Sequence, residues 1–327
     1  MGIRYSEIFS KAWTITWKYK VLWFFGFLAM LGGNGAFNSP AGGNPSPRFS
    51  ANYGAEEINR RYIPPDWTST IEQMEKVDVN TWISIAVIAG CGLLLLGLAC
   101  WLISILGRGG LISGILAADT TGKLTFREAW DAGVRYWLKL FVIRLLGILV
   151  SLLVAILIFL PGAFIGLITC GIGFIPVACF LFVLGIVVNL WFAFMDYATV
   201  VENLGLGEAI GRAWTVLRNH IGPALVFWLL LFAASLVVGI GMLILLLPSA
   251  VFIVLAFLPL FTGIGVFNPT MLVIGLVLLA LFILVSIVVK SVYTVWETGV
   301  MTLAYREFGK RTPLLAVAAA PQQVVSA

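Results

Sequence analysis

The chain has 327 residues, of which 61% are hydrophobic and 11% are charged, and its formal net charge is +5. Soluble domains carry about 25% charged residues, so this balance excludes an ordinary soluble enzyme or binding domain. The basic residues flank apolar runs, so the positive charge is not the basic patch of a nucleic-acid-binding protein. The stretches 145–195 and 221–289 contain no charged residue. Since about 20 apolar residues cross a bilayer, each stretch holds at least two crossings, and we predict an integral membrane protein.

The chain begins with an amphipathic segment, 5–17, in which apolar residues including Trp13 recur at helical spacing. Glu7 and Lys11 are four residues apart on the opposite face. This pattern predicts a helix that lies on the membrane surface. The apolar stretch 21–37 follows and predicts a first crossing, at the lower limit of spanning length.

Residues 38–78 form the only long polar stretch and contain several prolines and glycines. A loop of this length is either functional or disordered, and we predict an irregular external loop with a short helix over 69–77. The apolar stretch 82–106 predicts a second crossing, which Arg108 ends. Residues 109–118 are expected to continue as a helix along the inner surface.

The amphipathic design occurs a second time over 126–137, with Trp130 on the apolar face. Thr125 and Glu128 have the spacing of a capping box, which predicts that a helix begins there.

The third copy of the amphipathic design is 206–218, with Trp214 on its apolar face. Gly205 is the predicted N-cap, with Glu208 three residues later. Glu208 and Arg212 lie four residues apart on the other face, in the favourable order for an ion pair.

The later crossings are interrupted by prolines. Pro161 and Pro248 are predicted to break the helices that contain them. The apolar segment 249–261 after Pro248 is too short for a comfortable crossing, so we favour a re-entrant or interfacial piece over a seventh crossing. Four further crossings are predicted. The third covers about 138–160, and the fourth ends near 195. The fifth covers about 223–247, and the sixth covers about 269–289.

Together these elements predict an all-α polytopic membrane helix bundle of about six transmembrane helices. It consists of three repeats, each with an amphipathic interfacial helix and a pair of crossings. The repeat units are about 3–119, 124–204 and 205–309, within a single membrane domain, 1–311. Residues 312–327 are expected to form a flexible cytoplasmic tail.

The distribution of basic residues predicts the orientation. Only four of the twenty lysines and arginines lie in 38–78, and the other sixteen lie on or near the opposite side. Basic residues are retained in the cytoplasm, which predicts both termini inside and this loop outside. The expected location is the inner (plasma) membrane of a bacterium.

No motif in the chain carries recognisable catalytic chemistry. The single histidine, His220, stands where a crossing begins, and the four cysteines lie in apolar stretches without metal-ligand spacing. Phosphate-binding loops, hydrolase elbows and metalloprotease helices are absent from the sequence. We therefore expect no enzyme activity, no cofactor and no metal.

Four charged residues at the edges of apolar runs form a candidate polar cluster: Arg144, Asp196, Lys290 and Glu297. In the predicted topology all four lie near the inner interface, at depths matched to within about two turns. Charges there are costly and normally find partners, so we hypothesise that Asp196 pairs with Arg144 or Lys290. The alternative is that the two basic side chains extend separately to water.

The stretches LGEAIGRAW at 206–214 and FREAWDAG at 126–133 resemble a repeat of uncharacterised bacterial multi-pass proteins. This group includes the membrane domain attached to some glycerophosphoryl diester phosphodiesterases. The resemblance implies an all-helical inner-membrane bundle. Phosphodiesterase activity is not implied, because in that family it belongs to a soluble barrel domain with paired histidines.

Two functions remain open at this point. The first is a non-enzymatic scaffold or accessory subunit of the cell envelope, whose partners are the lipid bilayer and other membrane proteins. The second is a transporter or lipid-handling protein with a polar path between the repeats. A closed bundle packed on small residues favours the first, and a water-filled cavity at Arg144, Asp196 and Lys290 favours the second.

Overall fold

The structure is a computed structural model that describes residues 5–32, 79–168, 174–262 and 268–311. The predicted loop 38–78, its short helix 69–77 and the tail 312–327 lie outside the described residues. The described part is helical and contains α1 (Tyr5–Lys18), α2 (Val21–Leu31), α3 (Val79–Thr120), α4 (Phe126–Ile168), α5 (Phe174–Val201), α6 (Leu206–Asn219), α7 (Ile221–Thr262) and α8 (Pro269–Arg311).

Five of these helices, α3, α4, α5, α7 and α8, are long and apolar enough to cross a membrane. The predicted fold class, an all-α polytopic membrane helix bundle, is confirmed. The predicted first crossing is represented by α2, an apolar helix of 11 residues. At 1.5 Å per residue it reaches only about 16 Å, half of a hydrocarbon core of about 30 Å.

The predicted breaks at the two prolines are wrong. Helix α4 runs through Pro161 and α7 runs through Pro248, so 249–261 is part of a continuous helix of 42 residues. Apolar membrane helices tolerate proline because nearby hydroxyl groups and small adjustments satisfy the backbone.

Residues 109–118 continue as a helix, as expected, within α3, which runs to Thr120. One other predicted boundary differs, because 126–137 forms the first turns of α4 rather than a helix of its own. A turn does separate α1 from α2 and α6 from α7, at Tyr19–Lys20 and at His220 respectively.

The buried residues concentrate at one end of the long helices. This region, which we call the inner core, comprises α1, α2, α6, the C-terminal halves of α3, α5 and α8, and the N-terminal halves of α4 and α7. Phe25, Phe194, Phe227, Tyr305 and Phe308 are its largest fully buried side chains. The opposite halves of the long helices carry exposed leucines, isoleucines and valines, which suit contact with lipid.

Small residues bring the helices of the inner core into backbone contact. A Cβ atom at Gly107 of α3 would lie 2.6 Å from the Ala29 nitrogen of α2. A Cβ atom at Gly133 of α4 would lie 2.8 Å from the Leu106 carbonyl oxygen of α3. No side chain fits at either position, so α3 lies directly against both neighbours. In addition, α3, α5 and α8 contact one another.

Candidate functional site

The strongest concentration of buried charge surrounds Asp196 in α5, whose side chain is 1% exposed. Arg144 of α4 donates from Nη2 to Asp196 Oδ2 over 2.6 Å. Arg108 of α3 places Nε 3.1 Å from the same oxygen. The two arginine side chains are 16% and 12% exposed. We call this group of three residues the Asp196 junction, and it joins three helices.

Glu297 of α8 is a further acidic residue, which interacts electrostatically with Arg108. Asp196 Oδ1 is buried and accepts no hydrogen bond from the part of the chain that the structure describes. The buried Tyr197 hydroxyl interacts electrostatically with the same charges. The arrangement suits charge pairing between helices.

The structure brings two of the four predicted cluster residues into direct contact. Arg144 and Asp196 form the hypothesised ion pair, whereas Glu297 interacts electrostatically with Arg108. Lys290 is exposed and forms no ion pair with another described residue, so it does not belong to the group. Lys290 and Glu297 are two turns apart on α8, about 10 Å, which places them at different levels.

Sequence reasoning missed Arg108, which it assigned to the end of a crossing. Because α3 continues for another three turns to Thr120, the Arg108 side chain is enclosed rather than exposed at a helix end. The signal that could have found it is an arginine followed by Gly109 and Gly110, since small residues let neighbouring helices close around it.

A second buried carboxylate, Asp119, lies in the last turn of α3 with its side chain 3% exposed. It forms ion pairs with Lys11 of α1 and with Arg306 of α8. Sequence reasoning missed this residue too. Its position is informative, because a negative charge at a helix C-terminus is disfavoured by the helix dipole and needs basic partners.

The third carboxylate, Glu202, directly follows α5. Arg212 of α6 donates from Nε to Glu202 Oε2 over 3.0 Å and from Nη2 to the Gly309 carbonyl over 3.3 Å. The Tyr305 hydroxyl donates to Glu202 Oε1 over 3.1 Å. Glu202 therefore connects α6 to α8.

This network corrects the predicted contact between Glu208 and Arg212. The buried Arg212 turns to Glu202, whereas Glu208 accepts a hydrogen bond from the Gly205 amide over 3.2 Å. Glu208 therefore makes the predicted capping interaction with Gly205 at the start of α6. Physically, the more deeply enclosed carboxylate competes better for the guanidinium group, because its own burial would otherwise be uncompensated.

A cavity of about 320 Å³, open to the surface, lies beside Glu202. Its lining includes Arg212, Tyr305, Arg306 and Lys310. None of its lining residues belongs to the Asp196 junction.

The amphipathic segments keep the local features predicted for them. The Thr125–Glu128 capping box is present, with the Thr125 amide 3.2 Å from Glu128 Oε2 and the Glu128 amide 3.4 Å from Thr125 Oγ1. The acidic residues Glu7, Glu128 and Glu208 are all exposed. The indoles of Trp13, Trp130 and Trp214 are exposed as well.

The described ranges contain no group of three or more His, Cys, Asp or Glu side chains able to hold a metal ion. The imidazole of His220 stacks on Phe308 with ring centroids 5.1 Å apart. Of the cysteines, Cys91 and Cys179 are exposed on apolar helices and Cys100 is half-buried. These residues pack or face the surroundings individually.

Comparison with known proteins gives a family without an assigned activity. None of the curated proteins and none of the solved structures matches the chain. The resemblance to the membrane domain of glycerophosphoryl diester phosphodiesterases therefore has no support from these comparisons. One family model covers residues 15–316, nearly the whole sequence. The chain belongs to the family of unknown function DUF7544.

Proposed function

We propose that this protein is a non-enzymatic structural component of the bacterial cell envelope, a scaffold or accessory subunit. In this proposal it is a multi-pass protein of the inner membrane, with both termini in the cytoplasm. Its partners are the lipid bilayer and other membrane proteins.

The observation that carries the proposal is the closure of the Asp196 junction. Arg108 and Arg144 contact the same carboxylate oxygen directly, over 3.1 and 2.6 Å. A polar path between repeats requires a solvated gap, and these distances leave no room for water between the charges. The buried charges thus hold α3, α4 and α5 together.

Backbone contact on either side of the junction supports the same conclusion. Gly107 and Gly133 place α3 against α2 and α4 without an intervening side chain. Interiors packed this closely resist continuous deformation, so a polar pathway would require these helices to separate as bodies. We propose that they remain together.

A distance measurement in the membrane tests this proposal. Arg127 of α4 and Lys310 of α8 have side chains 92% and 63% exposed, so both accept spin labels without disturbing the core. In a cysteine-free background reconstituted into nanodiscs, we expect one narrow distance distribution for Arg127→Cys/Lys310→Cys. The distribution should not change with pH between 5 and 8 or with added anionic lipid.

Transport or lipid handling is the second candidate function, and one observation favours it. Asp196 Oδ1 is buried without a hydrogen-bond partner among the described residues, and buried charges in membrane proteins often mark ion or substrate pathways. Two distance populations, with a ratio that shifts with pH or lipid composition, would support this function and contradict the scaffold.

A further inference from the structure

The three amphipathic segments share a short sequence that is buried in the same way each time. An Ala-Trp pair occurs at Ala12-Trp13, Ala129-Trp130 and Ala213-Trp214. The three alanines are 0%, 1% and 0% exposed, whereas the three tryptophans are 52%, 38% and 50% exposed. Each segment therefore presents its alanine to the inner core and its indole to the surroundings. We call these segments, α1, 126–137 and α6, the docking segments.

Two of the alanines meet glycines on long helices. A Cβ atom at Gly299 of α8 would lie 3.5 Å from the Ala12 Cβ. On α3, a Cβ atom at Gly110 would lie 2.9 Å from the Ala129 carbonyl oxygen, and one at Gly114 would lie 3.7 Å from the Ala129 Cβ. The third docking segment, α6, packs against α5.

The docking segments contact the long helices in a regular order along the chain. The segment at 126–137 docks on α3, which ends the preceding unit, and α6 docks on α5, which again ends the preceding unit. In the first unit, α1 docks on α8, which ends the third unit. The contacts therefore run from each unit to the one before it and return from the first unit to the third.

The helices on which the docking segments pack, α3, α5 and α8, also share a sequence pattern. Arg108 precedes Gly110 by two residues on α3, and Glu297 precedes Gly299 by two residues on α8. On α5, Asp196 precedes Ala198 by the same interval, and Ala198 is fully buried. Each of the three helices therefore carries a charged residue two positions before a small residue.

The three long helices that carry these residues also meet in space, since α3, α5 and α8 contact one another. Where α3 meets α5, Arg108 contacts Asp196 directly. The Asp196 junction therefore lies between the helices that hold the docking segments, and Arg144 joins it from α4.

We infer that the inner core is a closed pseudo-threefold ring, and that the face of α8 around Gly299 is the docking site for α1 of the same copy. Asp119 reinforces this joint, since it binds Lys11 of α1 and Arg306 of α8. The joint brings together residues nearly a full chain length apart, whereas the other two join consecutive units. This arrangement does not depend on the scaffold function, because a transporter could use the same ring.

Disulfide formation at the three equivalent contacts tests the ring. Disulfides need Cβ atoms about 3.5–4.5 Å apart, a range that includes the Ala12–Gly299 and Gly114–Ala129 contacts, at 3.5 and 3.7 Å. In the cysteine-free full-length protein, we expect Ala12→Cys/Gly299→Cys and Gly114→Cys/Ala129→Cys to crosslink within one chain. Symmetry predicts the same for Ala198→Cys/Ala213→Cys. Non-reducing gels distinguish crosslinks within and between chains, and a maleimide-polyethylene-glycol shift counts the remaining thiols.

The matched control is Thr14→Cys/Gly299→Cys. Thr14 is exposed on the other face of α1, so this pair should keep both thiols. A crosslink between copies for Ala12→Cys/Gly299→Cys would mean that α1 docks on a second copy, which overturns the closed ring. If Ala12→Cys/Gly299→Cys forms no crosslink while Gly114→Cys/Ala129→Cys does, the proposed docking of α1 on α8 is wrong. Failure of Ala198→Cys/Ala213→Cys would overturn the threefold equivalence.

Discussion

At the scale of single residues, the inner core depends on carboxylates that are almost fully enclosed. Moving an ion from water into a protein interior costs several kcal/mol even after relaxation. The Asp196 carboxylate offsets this cost through two guanidinium groups on different helices. Removing one partner leaves the others buried without compensation, so the junction is more sensitive to loss of a single member than to loss of a matched pair.

Asp196→Asn is therefore expected to destabilise the detergent-solubilised protein by about 3–5 kcal/mol, because it leaves Arg108 and Arg144 facing each other without a counter-charge. Thermal unfolding in one detergent measures the loss. Adding Arg144→Met should restore part of it, since only one guanidinium group then remains.

The matched control for this substitution is Asp131→Asn, which removes the same charge from an exposed pair. Asp131 and Arg127 have side chains 69% and 92% exposed. Exposed pairs contribute little, so this variant should unfold within about 0.5 kcal/mol of the natural protein. Equal stability of Asp196→Asn and Asp131→Asn would show that the Asp196 junction does not stabilise the bundle.

Sequence reasoning found part of the junction for a physical reason. Arg144 and Asp196 stand at the edges of long uncharged runs, and such edges meet at one level of a membrane bundle. The sequence gives the depth of such a residue in the membrane only to within about two helical turns. The pattern therefore also selects Lys290, which is exposed in the structure. Arg108 escaped notice because its enclosure depends on how far α3 continues, a property set by packing.

At the scale of helices, the pattern of apolar residues predicts which stretches are helical better than it predicts where they end. Pro161 and Pro248 are strong breakers in soluble proteins, yet α4 and α7 continue through them. In a lipid environment an ended helix would expose backbone groups that water cannot satisfy, so continuing through a proline costs less than stopping.

Helix starts were more predictable, because local side chains determine them. The Thr125–Glu128 capping box and the Gly205–Glu208 contact are both present as the spacing indicated. A cap determines where a helix begins but not its length. For this reason 126–137 continues into α4 without a turn, whereas α1 and α6 end before the next helix.

The joint between α1 and α8 gives a prediction at this scale. Asp119→Asn removes the charge that attracts Lys11 and Arg306, and backbone amides of α1 should then exchange hydrogen faster. We expect at least a tenfold increase for α1, measured by mass spectrometry in nanodiscs, with no change for α6.

Glu307→Gln is the control for this effect, because it neutralises an acidic residue of α8 that pairs with Lys310 at 3.6 Å instead of with α1. It should leave exchange in α1 unchanged. Unchanged exchange in Asp119→Asn would show that apolar packing of α1 suffices to hold the joint. A parallel increase in α6 would indicate general loosening rather than release of α1.

At the scale of the whole molecule, the structure separates a packed inner core from long apolar halves that face the surroundings. Composition predicts this division only in outline, since it shows the uncharged runs but not which half of each helix finds protein neighbours. The packing of α1 against α8 was not predictable from local sequence patterns, because these helices come from opposite ends of the chain.

The orientation of the molecule in the membrane is predicted by charge. Sixteen of the twenty basic residues lie outside 38–78, and the enclosed carboxylates of the inner core bind five of them: Lys11, Arg108, Arg144, Arg212 and Arg306. Retention of basic residues in the cytoplasm acts on charges in short loops and near helix ends. Arginines that are paired inside the inner core therefore contribute less to the excess of basic residues on the cytoplasmic side. The predicted orientation is unchanged, because exposed residues such as Lys123 and Arg218 lie on that side in the predicted topology.

Single cysteines at Ser50, Lys123 and Ser326 test the orientation in a cysteine-free background. A maleimide that does not cross membranes should label Ser50→Cys in intact cells. Lys123→Cys, in the exposed turn between α3 and α4, should react only after the cells are permeabilised, and so should Ser326→Cys. The result at Lys123→Cys is decisive, because this turn adjoins the inner core and shows on which side of the membrane the inner core lies. Labelling of Lys123→Cys from outside would put the inner core on the outer side of the membrane, whatever the two other positions show.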